Sequence, residues 1–210
     1  MHLSNLIFLV PCLLAQVTLG LSFPILERLF PSPPIDDLEA SGTDQPNNLN
    51  PIPLYNLPSL FPSSPAVDSS TTETIRKTLA LYPLAIDGKN FTALSSVFAP
   101  DAVANFSSPL GVLSPLSDIQ ETLRQSLTCV TTQHSLGTQL IDVLDVYRAR
   151  SVTYYTAEHF RRSEEGYGVV TAHGQYQDEW VRMGDGTWRI VVRNLVFMSE
   201  IMGDQSIFVC

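Results

Sequence analysis

Residues 167–201 read YGVVTAHGQYQDEWVRMGDGTWRIVVRNLVFMSEI. Two β-rich runs, 167–183 and 187–201, meet at Met183-Gly184-Asp185-Gly186, and Asp-Gly between such runs is a strong hairpin signal. Upstream, 131–147 and 149–163 have the same texture, with turn-like joints at Arg148-Ala149-Arg150 and Ser163-Glu164-Glu165-Gly166. Four long strands joined by short turns predict an antiparallel meander.

Before the strands the periodicity is helical. From Asp68, residues Ser69, Ser70, Thr71 and Thr72 offer N-caps, and Ile75, Leu79, Tyr82 and Ile86 recur at steps of four, three and four. That is one apolar helix face. Pro83 should bend or split the helix and Gly88 should end it. Asn90 opens a second short helix up to Pro100, DAVANF (101–106) reads as a short strand, and Ser117-Asp118 opens a third helix. Helices followed by a strand meander predict an α+β fold, with helices packed on one face of a curved antiparallel sheet.

The chain has 210 residues, 44% hydrophobic and 16% charged, enough for one domain with extensions. A formal net charge of −9 argues against nucleic acid or an anionic membrane surface as partner, since both need clustered Lys and Arg. The apolar run LIFLVPCLLAQVTLG is too short and interrupted to span a bilayer. With Thr18 and Gly20 before a plausible cleavage point, residues 1–20 read as a secretory signal peptide. The expectation is a secreted protein, or one of the secretory-pathway lumen, with no membrane span after cleavage.

Residues 21–67 hold ten of the fifteen prolines and read as a disordered arm. The domain is expected over 68–204, with 205–210 as a tail. Cleavage would remove Cys12 and leave Cys129 and Cys210. Two cysteines in an oxidising compartment can pair, but no spacing shows that they meet. Asn90-Phe91-Thr92 and Asn105-Phe106-Ser107 are glycosylation sequons, so Asn90 and Asn105 are candidate acceptors.

Three side chains stand out for chemistry: Asp87 at the end of the first helix, and His134 and His159 in successive strands. Imidazole can take and give a proton near neutrality, and a carboxylate beside it stabilises the imidazolium. A hairpin turning at 148–150 puts His134 opposite position 164. His159 is then roughly 17 Å away at ~3.4 Å per residue, unless curvature or a bulge closes the gap. His173, Gln175 and Gln177 share one face of their strand by parity, a face turned either to solvent or to a cavity. No phosphate loop, dinucleotide fingerprint, nucleophile elbow or zinc motif is present, so the expected chemistry uses no cofactor and no metal.

Residues 82–106, YPLAIDGKNFTALSSVFAPDAVANF, resemble the opening of the SnoaL-like branch of the NTF2-like superfamily. TQHSLG at 132–137, the 25-residue step to His159, and the strand 171–180 with GDGTWRI after it are similar to its scytalone dehydratase branch. The resemblance covers roughly 70–200 and implies an NTF2-like (cystatin-like) cone-shaped barrel around a mostly apolar pocket, its strands curling inward. It implies acid–base elimination of water from a cyclic ketone, with Asp87 orienting one histidine and His134 and His159 moving protons. Gln175 and Gln177 stand where that branch has polar substrate contacts, and its two water-holding tyrosines fall at Ile86 and Phe106. Tyr154, Tyr155 or Tyr176 are possible substitutes. Phe106, Tyr154, Tyr155, His173, Gln175 and Gln177 are therefore the substrate-binding candidates.

The expected activity is a cofactor-independent lyase or isomerase, a dehydratase or cyclase. Its substrate would be a polyketide- or terpenoid-like ketone or alcohol of secondary metabolism. The alternatives are a secreted, non-catalytic binding protein with the same pocket, and an interaction module. A homo-oligomer formed through the sheet is compatible with any of these.

Overall fold

The computed structural model describes residues 49–61, 68–163 and 166–210. All belong to one compact unit, Gln45–Cys210. The expected signal peptide and most of the proline-rich arm lie outside the described residues.

Of that arm, residues 49–61 form structure. A 3-10 turn at Leu54–Asn56 leads into a single helical turn, α1, at Leu57–Leu60, with Leu57 buried. Polar side chains of the sheet hold this segment. Gln177 accepts the Ile52 N–H at 2.7 Å and donates to the Ile52 carbonyl at 2.8 Å. Arg150 donates to the Leu60 carbonyl and lies 5.0 Å over the Phe61 ring. High proline content removed backbone donors here without preventing a side-chain-held path.

The long helix α2 spans Ser69–Asp87. Asp68 caps it, its carboxylate accepting the Thr71 N–H at 3.0 Å. The cap is the acid itself, one residue before the expected run of hydroxyls. Ile75, Leu79, Tyr82 and Ile86 all point into the core. Pro83 lies inside one continuous helix. Gly88 stops it in a tight turn, since a Cβ there would meet the Leu84 carbonyl at 2.8 Å, and the left-handed residue that follows is Lys89 (φ 56°). The expected second helix is a 3-10 turn, Phe91–Ser96, and α3 spans Leu116–Ser126.

Six strands follow one another as β1 Phe98–Asn105, β2 Val112–Leu113, β3 Thr131–Val143, β4 Arg148–Ser163, β5 Gly166–Arg182 and β6 Trp188–Phe197. They form one sheet in the order β2-β1-β6-β5-β4-β3. The fold is α+β, as expected, but the antiparallel cone-shaped barrel is not formed. The sheet is open, with β2 and β3 as unpaired edges, and mixed, because β1 runs parallel to β6. Short connections force β3 to β6 into an antiparallel meander. β1 reaches β6 only after intervening helix and strands, and such a crossover permits parallel pairing.

The β3–β4 hairpin also turns earlier than expected. Asp145 accepts the N–H groups of Tyr147 and Arg148 at 2.8 Å each, closing the turn at 144–147. This side-chain turn replaces the expected joint at 148–150 and, with a bulge between Leu136 and Gln139, resets the register. His134 faces Ala157, and Thr132 faces His159.

After β6 the chain crosses back over β5 through a bridge between Thr171 and Met202. It ends in a 3-10 turn, Gln205–Phe208, with Ile207 buried. Cys129 and Cys210 form a disulfide with a Cα–Cα distance of 5.4 Å, within the usual span. Residues expected to form a tail are thus part of the fold.

Candidate active site

Asp87, the last residue of α2, meets the first turn of β3. Its Oδ2 accepts the His134 backbone N–H at 2.8 Å, and its Oδ1 accepts the Thr132 hydroxyl at 2.8 Å. The same Oδ1 lies 2.7 Å from His134 Nδ1. A carboxylate accepts only, so this contact places a proton on Nδ1, and in the neutral ring Nε2 is then the basic nitrogen. Burial pushes the Asp87 carboxyl up, but the bonds from the His134 ring, the His134 backbone and Thr132 outweigh it and hold the group below its ordinary value.

His159 lies on the neighbouring strand, with ring centroids 6.0 Å from those of His134. The cross-strand register alone brings them together, two positions apart on one face, and no curling of strands is needed. His159 Nδ1 donates to the Val170 carbonyl at 3.3 Å, which turns its Nε2 outward from that bond. Its pKa falls to about 4, chiefly through burial and next through the charge of His134. At neutral pH this ring is uncharged.

Both histidines line a cavity of about 370 Å³, a size suited to a small molecule. Its walls are mostly apolar: Ile86, Phe106, Leu123, Leu195, Phe197 and Phe208 among them. Tyr82, Tyr155 and Tyr176 bring hydroxyls, and Ser126 and Gln205 stand among the other polar lining groups. Tyr155 stacks on Tyr176 at 4.3 Å and lies across Gly174, where a Cβ would come within 2.7 Å of its hydroxyl. Burial raises the pKa of Tyr155 well above the ordinary phenol value, so it remains a donor.

Behind the tyrosines sits a fully buried ion pair. Arg193 donates to both carboxylate oxygens of Asp178, at 2.7 and 2.8 Å. Its guanidinium lies 4.4 Å from the Tyr82 ring centroid and 4.2 Å from that of Tyr176. The pair fastens β5 to β6 directly beneath the rings that line the pocket.

The structure gathers Asp87, His134, His159, Phe106 and Tyr155 at this site. It does not bring Tyr154, His173, Gln175 or Gln177 to it. Those four are cross-strand neighbours of one another or lie on matching parity, on the face opposite Tyr155, Ala172 and Tyr176. There Gln177 holds Ile52, Gln175 contacts Met198 and His173 contacts Thr156. The face predicted to be solvent or cavity is instead packed, partly under residues 49–61. Ile86 and Phe106 both line the cavity, so those positions present no hydroxyl. Asn90 is exposed, while Asn105 donates to the Leu49 carbonyl at 3.4 Å and accepts the Ser107 N–H at 2.9 Å.

Sequence reasoning missed Tyr82, which reads as ordinary helix core, and Phe208, which reads as tail. The signal for Phe208 was its position two residues before a cysteine able to pair. Among the described residues, no three His, Cys, Asp or Glu side chains cluster as a metal site. No described helix is long and apolar enough to cross a membrane.

The model of the SnoaL-like domain matches residues 68–194. The chain belongs to the SnoaL-like family. No curated protein matches it. Among solved structures, this SnoaL-like protein is similar to the Kfla4162 protein of Kribbella flavida, with 25% identity and a TM-score of 0.58, covering 67% of this chain and 98% of that one. It is also similar to a candidate scytalone dehydratase from Novosphingobium aromaticivorans, at 21% identity and a TM-score of 0.57, over 65% and 89% of the two chains. A hexachlorocyclohexane dehydrochlorinase shares 14% identity with a TM-score of 0.56, over 64% and 89%. At the last two identities the likeness is one of fold. All three preserve the SnoaL-like architecture across most of their own length.

Proposed function

We propose that this SnoaL-like protein is a cofactor-independent acid–base lyase or isomerase of the dehydratase or cyclase type. Its substrate is a compact cyclic ketone or alcohol of polyketide or terpenoid character. The observation that carries the reading is the Asp87–His134 pair facing His159 inside an apolar cavity. Relatives of the fold described as a scytalone dehydratase candidate and a dehydrochlorinase, both named for eliminations, support the reaction class by analogy.

In the proposed reaction His134 Nε2 takes the proton next to the substrate carbonyl. The C–H electron pair forms an enolate, and Asp87 stabilises the imidazolium through Nδ1. Collapse of the enolate forms the C=C bond and breaks the bond to the β-hydroxyl. The proton on His134 leaves with that hydroxyl as water, so nothing is oxidised or reduced. His159, neutral at its pKa of about 4, accepts a hydrogen bond from the substrate hydroxyl and holds it in line. Tyr155, kept protonated by burial, is the donor to the carbonyl oxygen and takes the role of the tyrosines absent at Ile86 and Phe106.

The second reading, a non-catalytic binding protein, is favoured by Ile86 and Phe106, which offer the carbonyl no hydroxyl. β-Hydroxy cyclic ketones separate the two readings: dehydration yields a conjugated enone with a new ultraviolet absorbance. Enone formation that requires Asp87 and His134 supports the enzyme. Saturable binding with no enone from any member of such a panel supports the binding protein.

A further inference from the structure

The segment Met202–Cys210 is fastened to the sheet at several points. Gly203 has φ 106°, and a Cβ there would stand 2.3 Å from the Val169 carbonyl. Gly168 makes room for Ile207, whose Cγ2 would lie 2.6 Å from an added Cβ. Asp204 caps the last turn, accepting the Ser206 N–H at 2.9 Å. Arg161, two residues beyond His159 on β4, donates to the carbonyl oxygens of Ile207 and Val209. Cys210 is then bonded to Cys129, just ahead of the strand that carries His134.

Between these fastenings sits Phe208, lining the cavity with its ring centroid 5.0 Å from that of His159, edge to face at 68°. A disulfide two residues beyond Phe208 ties this segment covalently to Cys129, just ahead of β3.

We infer that Met202–Cys210 is a redox-fastened wall of the pocket, in which Phe208 is a positioning residue that packs against His159 and keeps it dry, and that reducing Cys129–Cys210 loosens this wall. The inference deepens the reading of the same site but rests only on the pocket, not on catalysis. Phe208 covers part of the half-buried His159 ring. His134 from β3, with Asp87 and Lys89 from the end of α2, are the titratable groups that act on His159 from the facing elements, and the Val170 carbonyl of β5 holds its Nδ1. Release of Phe208 leaves those groups in place and admits water, so it should weaken the desolvation of His159 selectively.

The test is NMR titration of the histidine rings in the full chain. Samples are oxidised, treated with a thiol reductant, or carry Phe208→Ala, Phe208→Leu or Cys210→Ser. The oxidised protein should titrate His159 near pH 4. Phe208→Ala, reduction and Cys210→Ser should each raise that midpoint by about one unit or more, and Phe208→Leu should restore most of it. Backbone amide spectra of Phe208→Ala, which retains the disulfide, separate a local change from unfolding. A His159 midpoint unmoved by Phe208→Ala in the folded protein overturns the positioning role. A midpoint that responds to Phe208→Ala but not to reduction overturns the fastening. Neither result depends on turnover, so failure here differs from finding no enone.

Discussion

Asp87 accepts three hydrogen bonds from the first residues of β3, two of them from His134. The residue orients the ring and also joins the helix end to the sheet. In the proposed reaction, Asp87→Asn and His134→Asn should each lower kcat by about 10²–10⁴. Tyr154→Phe and His173→Asn, on the opposite face, should change it less than about threefold, as expected of substitutions away from the reacting groups. Steady-state enone formation checks both halves. His159 supplies a second prediction. Its unfolded pKa is about 6.5 and its folded pKa about 4, so the unfolded chain binds the extra proton between those values. Stability is therefore complete above about pH 6.5 and is lost as pH falls toward 4, by at most about 3 kcal/mol. Denaturant unfolding across that range should show the loss, and His159→Gln should flatten it.

At the scale of elements, the β5–β6 pair stands on Asp178 and Arg193. Removing one partner leaves an unpaired charge in a fully buried site. Arg193→Met should cost about 3–5 kcal/mol in denaturant unfolding, and Arg193→Met with Asp178→Leu should recover part of the loss. The elements themselves were mostly legible in sequence. The steps among Ile75, Leu79, Tyr82 and Ile86 marked the buried face of α2, and Asp185-Gly186 marked the β5–β6 turn. Two things were not legible, for identifiable reasons. The β3–β4 turn is set by Asp145 binding two backbone N–H groups, a local contact that outcompeted the Arg-rich joint three residues on. That shift, together with a bulge between Leu136 and Gln139, moved His134 and His159 from an apparent separation of roughly 17 Å, at ~3.4 Å per residue, to one face with ring centroids 6.0 Å apart. The parallel seat of β1 beside β6 depends on a non-local pairing that no local pattern encodes.

Across the whole molecule, the open sheet has two differently occupied faces. One carries the helices and the cavity. The other carries Tyr154, His173, Gln175 and Gln177, where Gln177 holds the backbone of Ile52 through both ends of its amide. Strand parity correctly grouped His173, Gln175 and Gln177 on one face. Parity cannot say which face lies toward the helices, so it left the group open between solvent and a cavity, and the resemblance supplied the substrate-binding reading of Gln175 and Gln177. Gln177→Ala should therefore speed hydrogen exchange at residues 49–61 while leaving turnover and cavity ligand binding unchanged within about twofold, because surface-side changes distant from a site rarely couple to it.

The central claim is that the Asp87–His134 pair moves protons on a ketone bound in the cavity. Its most direct measurement is the exchange of α-protons for deuterium in cyclic ketones dissolved in D2O, followed by proton NMR. This reads proton abstraction whether or not a leaving group is present. The account predicts exchange well above the buffer rate with the native protein, lowered by about 10² or more in His134→Asn and Asp87→Asn. Exchange at the buffer rate in all three proteins, with the ketone demonstrably bound, would contradict it and make the cavity a binding site.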